Sequence, residues 1–266
     1  MAYDPVLGPV FDIGLIDSET NFYRKGFEKM EKVIHKADSR GYFNHGWLKT
    51  HHTFSFARYY DPQRIHFGML RVLNDDTVAG GEGFGTHPHD NMEIVSIPLE
   101  GILEHADSMG NARQLRPGMI QVMSAGTGIT HSEYNGSATE PVEFLQIWIF
   151  TDKQNHTPRY EDLVLEPVKK NTLQKIVGPQ GEGGPHIGWL HQQAWLYTAE
   201  MDAGKTVEHT LHGTDKGAYV FIIEGEVSVN GENLSRRDGI GVWETETLQI
   251  EAEKASRILL IEVPMR

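Results

Sequence analysis

The chain has 266 residues, 39% of them hydrophobic and 23% charged, which is typical of a globular protein with one large domain or two of ordinary size. It contains no cysteine, and this excludes disulfides, thiolate metal ligands and a cysteine nucleophile. Its formal net charge of -13 disfavours direct binding to nucleic acid, and its apolar runs are shorter than the roughly 18 residues that span a bilayer, so neither nucleic acid nor a membrane is an expected partner.

Residues 1–32 differ in character from the rest of the chain and are interpreted as an N-terminal extension. Turn-forming pairs occur at Asp4-Pro5 and Gly8-Pro9. Met30 precedes a segment with the pattern of a new strand, so it is a candidate alternative start. The first thirty residues carry acidic residues and lack a continuous apolar stretch; we therefore identify no signal peptide and expect a cytoplasmic location.

From residue 33 onwards, the pattern is that of short β-strands separated by turns. Strand-like segments, several of them rich in β-branched and aromatic residues, lie at 66–73, 92–99, 119–123, 142–150, 219–223, 226–229 and 257–263. Turn signals occur at 74–76, 100–101, 111 and 116–118, and Asn230-Gly231 is typical of a hairpin turn. Long helical periodicity is scarce, so we predict an all-β protein with few short helices, arranged as a barrel or a sandwich.

A weak internal repeat predicts two tandem copies of one β-barrel. Glu100-Gly101 with a later turn at 116–118 resembles Glu224-Gly225 with a later turn at 237–239. We predict an N-terminal domain over residues 33–152, which binds a metal, and a C-terminal domain over residues 153–266. The second copy lacks the residue pairs that suggest a metal site in the first, so we interpret it as structural and without metal ligands.

The pairs that suggest this metal site are His87-Pro88-His89 and His131-Ser132-Glu133. Alternate residues of a β-strand point to the same face, so each pair presents two ligands together if its segment is extended. Two such pairs facing each other across a barrel would bring together three imidazoles and one carboxylate. That donor set suits a divalent transition metal such as Fe(II), Mn(II), Ni(II), Cu(II) or Zn(II). The remaining histidines are interpreted as structural, among them His105, His209 and His212.

The residues around these pairs have the spacing of the cupin motifs. The first motif is matched by Gly81, His87, His89 and Glu93. The end of the second motif is matched by Gly128, His131 and Asn135. Residues 80–93 and 124–135 together resemble the pirin family, and so do shorter segments at 37–41, 51–56, 70–76 and 105–111. The resemblance covers about residues 33–266.

This resemblance implies a bicupin, that is, two tandem cupin β-barrels of the jelly-roll type with one metal in the N-terminal barrel. It implies His87, His89, His131 and Glu133 as metal ligands, usually around Fe(II); the donor set also accepts Zn, Mn, Ni, Cu or Co. Some family members show quercetin 2,3-dioxygenase activity, opening the flavonol ring with O2 and releasing carbon monoxide. Others are described as metal-dependent regulators that bind partner proteins, including transcription factors.

Two carboxylates compete for the fourth ligand position. Ordinary cupins use the glutamate of the first motif, here Glu93, whereas the pirin pattern uses Glu133. Strand geometry favours Glu133, because it shares a face with His131, while Glu93 lies about 13 Å from His89 along an extended strand at roughly 3.3 Å per residue. A turn at residues 90–91 would shorten that distance. With Glu133 as the ligand, Glu93 is expected to orient an imidazole by accepting its free N–H.

The expected function is that of a metal-dependent dioxygenase, opening the ring of quercetin or a related flavonol or catecholic compound with O2. Glu133 is the expected general base for the substrate hydroxyl, and Leu70, Met92 and Met123 are expected to line an apolar mouth. The alternative is a metal-sensing or redox-sensing regulator that binds a protein partner without turnover. A purely structural metal fits less well, because structural zinc sites are closed and often rich in cysteine.

Overall fold

The computed structural model describes residues 30–266, which form 22 β-strands and one short 3-10 helix, Ala37–Ser39. The strands up to residue 150 are β1 (Glu31–His35), β2 (Gly41–Asn44), β3 (Leu48–His52), β4 (Leu70–Val78), β5 (Gly83–His89), β6 (Met92–Glu100), β7 (Leu103–Asp107), β8 (Ala112–Leu115), β9 (Met119–Ser124), β10 (Ile129–Asn135) and β11 (Val142–Phe150). The later strands are β12 (Arg159–Val164), β13 (Gln174–Pro179), β14 (Gly188–Leu190), β15 (Trp195–Met201), β16 (Thr206–Thr210), β17 (Lys216–Glu224), β18 (Glu226–Val229), β19 (Glu232–Ser235), β20 (Gly239–Trp243), β21 (Thr247–Ala252) and β22 (Ser256–Pro264). The predicted all-β fold class is confirmed. Within residues 30–266, no helix has the length and apolar character required to cross a bilayer.

The strands form four sheets that follow one plan twice. In the first half, a seven-stranded sheet has the order β12-β9-β6-β11-β4-β3-β2 and a four-stranded sheet the order β5-β10-β7-β8. In the second half, the corresponding orders are β1-β20-β17-β22-β15-β13-β14 and β16-β21-β18-β19. The turns between β6 and β7 and between β17 and β18 contain Gly101 and Gly225, both with the positive φ (76° and 89°) that glycine adopts without strain. The two tandem copies predicted from the internal repeat are therefore confirmed.

Each half completes the large sheet of the other. Strand β1 lies at the beginning of the described chain but pairs with β20, from Glu31 opposite Trp243 to His35 opposite Gly239. Strand β12 comes after the first half in the chain, but it pairs with β9 in the large sheet of the first half. The domain limits at 33–152 and 153–266 stay a prediction. Most of the expected N-terminal extension, residues 1–29, lies outside the described residues.

A continuous apolar core joins the two large sheets. Buried side chains of the first half, such as Phe54 and Leu73, belong to the same cluster as Tyr219 and Leu259 of the second. The rings of Phe54 and Tyr219 meet edge to face at 5.6 Å. Complete burial of one large apolar side chain contributes roughly 1.5–3 kcal/mol, so this shared core binds the halves tightly.

The strand predicted at 66–73 starts later than expected. Strand β4 begins at Leu70, and the residues before it form a tight turn in which Phe67 and Leu70 exchange two backbone hydrogen bonds, both 2.9 Å. Gly68 has φ +50° in this turn, and a side chain there would collide with the backbone of Pro264.

The turn predicted at residues 74–76 is wrong, because these residues lie inside β4. The polar side chains that suggested a turn have partners elsewhere in the fold. Asp75 forms ion pairs with Arg40 and Arg237, both at 3.2 Å. Burial raises the pKa of Asp76 to about 7, opposed by a hydrogen bond from Thr50. Tertiary pairing therefore overrides the local turn preference of this acidic segment.

The hairpin predicted at Asn230-Gly231 is confirmed. Val229 faces Glu232 across the end of the β18–β19 hairpin. Asn230 and Gly231 both have positive φ, 47° and 85°, as a two-residue hairpin loop with right-handed strand twist requires.

Candidate metal centre

Three histidines of the first half converge from two adjacent strands. His87 and His89 lie at the end of β5, and His131 lies opposite His87 on the neighbouring strand β10. The ring centroids are 4.5 Å apart for His87 and His131, 4.8 Å for His89 and His131, and 4.9 Å for His87 and His89. One ring nitrogen from each lies within 4.8 Å of the other two. The extended geometry predicted for both pairs is confirmed and brings the three imidazoles together. The expectation that the pairs face each other across the barrel is wrong, because they lie side by side on neighbouring strands of one sheet.

The hydrogen bonds of these rings leave nitrogen lone pairs available at the centre of the cluster. Nδ1 of His87 lies 2.8 Å from the carbonyl oxygen of Gly85, so Nδ1 carries the proton and Nε2 keeps its lone pair. Nε2 of His131 is buried without any hydrogen-bond partner. A buried nitrogen of this kind is costly unless something binds it, and a divalent cation would do so. The donor set therefore fits a transition metal.

His89 and His131 are held in their neutral form, which is the form that binds metals. Burial lowers the pKa of His89 to about 4, with a further contribution from the neighbouring His87. Burial also lowers the pKa of His131 to about 2, and the surrounding His87, His89 and His105 lower it further.

Glu133 follows His131 on the same face of β10 and is buried. Its Oε2 accepts a hydrogen bond of 2.7 Å from Gln146, and its Oε1 lies 3.2 Å from the hydroxyl of Ser96. A carboxylate oxygen of Glu133 lies within 4.8 Å of ring nitrogens of His131 and His105, so His131 belongs both to this group and to the three-histidine group. Burial raises the pKa of Glu133, and the hydrogen bond from Gln146 acts in the opposite direction.

His105, for which the sequence predicts a structural role, lies directly behind the cluster. It is buried on β7, with Nδ1 at 3.4 Å from Nδ1 of His131 and Nε2 at 3.1 Å from Oδ2 of Asp107. If Asp107 accepts the Nε2 proton of His105, Nδ1 of His105 can accept the Nδ1 proton of His131. The lone pair of His131 is then on Nε2. The signal in the sequence was the spacing of His105 and Asp107, which repeats the alternate-residue pattern of the other two pairs.

The role expected for Glu93 is wrong. Its carboxylate accepts hydrogen bonds from the hydroxyl of Ser124 at 2.7 Å and from the backbone N–H of His191 at 3.1 Å. The expected turn does exist, with φ 45° at Asn91, but it carries the chain from β5 into the large sheet. Glu93 there faces β9 and the loop after β14 instead of an imidazole.

An apolar wall borders the histidines on one side. Met92 and Met123 belong to a small cluster that also contains Trp148 and Tyr160. The Trp148 ring meets His89 edge to face at 4.9 Å, and the Tyr160 ring stacks on His105 at 4.5 Å. Tyr160 comes from β12, the strand that the second half contributes to this sheet.

Leu70 does not line this wall, and that expectation is wrong. It is fully buried in the core between the two large sheets. The position of Leu70 near the motifs in the sequence does not predict its surroundings, because the start of β4 faces the second half of the molecule and not the histidine cluster.

The second half contains a histidine–carboxylate group that the sequence did not predict. One ligand atom each of His209, His212 and Glu262 lie within 4.8 Å of one another. Glu262 directly follows four apolar residues, 258–261, in β22, and this is the available signal in the sequence.

Both halves of the chain match known families. Residues 33–149 match the family described as Pirin, and residues 175–263 match the family described as the quercetinase C-terminal cupin domain.

Several proteins are similar over most of the chain. A protein of Escherichia coli (strain K12) named quercetin 2,3-dioxygenase is 42% identical over 231 residues, covering 87% of this chain and 98% of its own. A pirin-like protein of Caulobacter vibrioides is 36% identical over 232 residues, covering 85% and 96%. Among solved structures, bacterial pirin YhhW from Escherichia coli in complex with nickel(II) has a TM-score of 0.82 at 40% identity, covering 88% of this chain and 99% of that one.

Proposed function

Since the chain belongs to the pirin family, we propose that it is a metal-dependent dioxygenase that opens the ring of quercetin or a related flavonol or catecholic compound with O2. His87, His89, His131 and Glu133 are the proposed metal ligands. Fe(II) is the proposed metal, and Ni, Mn, Cu, Co and Zn also suit the donors.

The convergence of three imidazoles beside a buried carboxylate is the observation that carries this proposal. His131 supports it most directly, because its Nε2 is buried and unpaired while its Nδ1 contacts His105. His87 and His89 are partly exposed, so a small molecule can approach the cluster from their side. The nickel complex of a 40% identical bacterial pirin supports a transition metal.

A divalent transition metal bound here would polarise the oxygen atoms of a substrate and lower the pKa of its hydroxyl group. The protein then has to accept the hydroxyl proton. Glu133 is suited to this role as general base, because a carboxylate oxygen of Glu133 lies beside the histidines, within 4.8 Å of a ring nitrogen of His131. Gln146 and Ser96 hold the two carboxylate oxygens in place.

The surroundings of His89 suit an aromatic substrate. The Trp148 ring is nearly perpendicular to the His89 ring, and Phe56 meets Trp148 edge to face at 5.3 Å. A planar flavonol could rest against this wall while its oxygen atoms face the histidines. The wall would also limit access of water to the electron-rich substrate.

The test is aerobic incubation of untagged, iron-loaded protein with quercetin, with O2 uptake, carbon monoxide and the ring-opened product measured together. We expect turnover in the parent protein, its loss in His89→Ala, and full retention in the matched control His45→Ala, which removes an exposed histidine distant in sequence from the cluster. Glu133→Gln is expected to lower the rate strongly.

Equal activity in the parent and His89→Ala would end the proposal. Metal binding without turnover of any flavonol or catechol would instead favour the regulator alternative, to be followed by capture of partner proteins on metal-loaded and metal-depleted protein. The cytoplasmic location and the absence of a nucleic-acid partner stay predictions.

A further inference from the structure

The second barrel carries a compact group of two imidazoles and one carboxylate outside the proposed catalytic centre. Nε2 of His209, on β16, lies 2.7 Å from Oε2 of Glu262. Nδ1 of His212, just after β16, lies 2.9 Å from the same oxygen. The side chain of Glu262 is fully buried on β22, and its Oε1 accepts the backbone N–H of His212 at 2.7 Å.

This group occupies the position in the second barrel that corresponds to the histidine cluster of the first. Strands β16 and β22 correspond to β5 and β11 in the matching sheet orders. Glu262 pairs with Ala218, the third residue of β17, as Trp148 pairs with Ile94, the third residue of β6. Trp148 is the residue whose ring contacts His89. The second group therefore lies at the same end of the same fold.

The spacing of the three donors suits a single ion. Metal–nitrogen and metal–oxygen bonds of about 2.0–2.2 Å place adjacent ligands of an octahedral ion roughly 3 Å apart. The two nitrogen–oxygen distances, 2.7 and 2.9 Å, are those of hydrogen bonds to Glu262 Oε2 and are also close to that value, so an ion bound here would replace the two hydrogen bonds. Two imidazoles and one carboxylate on one side of an ion leave the remaining positions open, as in other sites of this composition.

An ion could reach this group from solvent. The side chain of His212 is 35% exposed, whereas those of His209 and Glu262 are buried. A cleft next to His212 is lined by Leu211, Gly213 and Glu246, among other residues. Glu246 adds negative charge at its entrance, which favours a cation over an anion.

The imidazole rings are held in place by aromatic neighbours. The Trp195 indole lies flat on His212, with ring centroids 3.9 Å apart and an angle of 2° between planes. The Tyr197 ring contacts His209 at 4.9 Å. Burial acts to raise the pKa of Glu262, but hydrogen bonds from His209 and His212 lower it overall, so the carboxylate is ionised at neutral pH. The two rings and the ionised carboxylate are therefore held close together before any ion binds.

We propose that His209, His212 and Glu262 form a second divalent transition-metal site in the C-terminal barrel. The competing explanation is a closed hydrogen-bond network, in which both imidazoles donate to Glu262 and no ion binds. The two explanations differ in the number of metal ions that the chain retains.

The experiment counts metal in untagged full-length protein that has been stripped with a chelator, equilibrated with excess Zn(II), and desalted before elemental analysis. We expect two equivalents in the parent, one in His89→Ala, one in His212→Ala, and none in the His89→Ala, His212→Ala double variant. Glu262→Gln is expected to lose the same equivalent as His212→Ala. His45→Ala, which removes an exposed histidine, is the control and is expected to retain two.

The proposal fails if His212→Ala or Glu262→Gln retains as much Zn(II) as the parent. His212→Ala alters a partly exposed side chain and is expected to fold even if Glu262→Gln does not, as circular dichroism would show. The result does not depend on the first centre. The metal equivalent that tests the proposal is the one that His212→Ala loses and His89→Ala retains.

Discussion

The Nδ1 atoms of His105 and His131 lie 3.4 Å apart inside the first barrel, on neighbouring strands of the four-stranded sheet. Because Asp107 holds the other nitrogen of His105, this contact fixes which nitrogen of His131 is free. Residues that fix the tautomer of a metal-binding histidine contribute to affinity without touching the metal. His105 is therefore expected to act as a positioning residue.

Replacing His105 with glutamine should weaken metal binding about 10–100-fold, the range typical for partners of ligating histidines. The measurement is competition with a chelator of known affinity. His45→Gln, the same substitution at an exposed site, should leave the affinity unchanged. An unaltered affinity in His105→Gln would show that His131 needs no such support.

Replacing Gln146 with leucine should destabilise the metal-free protein. The change removes the 2.7 Å hydrogen bond to the buried carboxylate of Glu133, and leaving a buried polar group unpaired costs about 1–3 kcal/mol. Urea unfolding of the metal-free protein measures this loss. Gln63→Leu, at an exposed glutamine, is the control; equal stability of the two variants would contradict the role given to Gln146.

Replacing Asp75 with asparagine should be strongly destabilising, because it leaves Arg40 and Arg237 close together without their shared carboxylate. Both guanidinium groups are buried, with side-chain exposures of 3% and 7%. Removing one partner of a buried ion pair costs about 3–5 kcal/mol. The free energy of unfolding in urea is the measurement.

The control for this change is Glu226→Gln, which breaks an exposed ion pair with Lys254. Such pairs contribute about 0–1 kcal/mol. Similar losses in the two variants would mean that the cluster around Asp75 is no more important to stability than a surface pair.

His35 should make the protein sensitive to acid. It is buried against the hydroxyl of Tyr219 at 2.9 Å, and burial, assisted by the positive charge of Arg64, lowers its pKa from 6.5 to about 4. Its contribution to stability is fully present above pH 6.5 and is lost as the pH falls towards 4, because the unfolded chain takes up a proton that the folded chain excludes.

The size of this effect follows from the pKa shift. Between pH 7 and pH 5, His35 should account for about 2 kcal/mol of lost unfolding free energy. In His35→Gln, the decrease between the two pH values should be smaller by that amount, even if the variant is less stable at both. Parallel pH profiles for the parent and the variant would exclude His35 as the titrating group.

The strand pattern could be predicted because it depends on local sequence. Alternation of residue types predicted β10 and the pairing of His131 with Glu133 on one face, since a period of two fixes which side chains share a face. Turn residues likewise set the Asn230-Gly231 hairpin. In β4 the prediction from turn residues is wrong. Asp75 is a typical turn residue, but its ion pairs with Arg40 and Arg237 hold it within a strand.

The parts that could not be predicted depend on residues distant in sequence. His105 gains its role from His131, which lies on a neighbouring strand, and from the stacking of Tyr160, which lies on the strand β12 that follows the first half. Glu262 meets His212 only after β16 and β22 have been brought together. No local pattern specifies such encounters.

Because β1 and β12 each complete the sheet of the other half, the two barrels together are the smallest part of this protein that we expect to fold by itself. A chain divided after residue 152 would leave β1 attached to the fragment that does not use it and would strip β12 from the sheet that contains β9. Both fragments would then expose bare strand edges, which invite aggregation. Grafting the histidine cluster into another protein would therefore require both halves, including the one that does not contain the cluster.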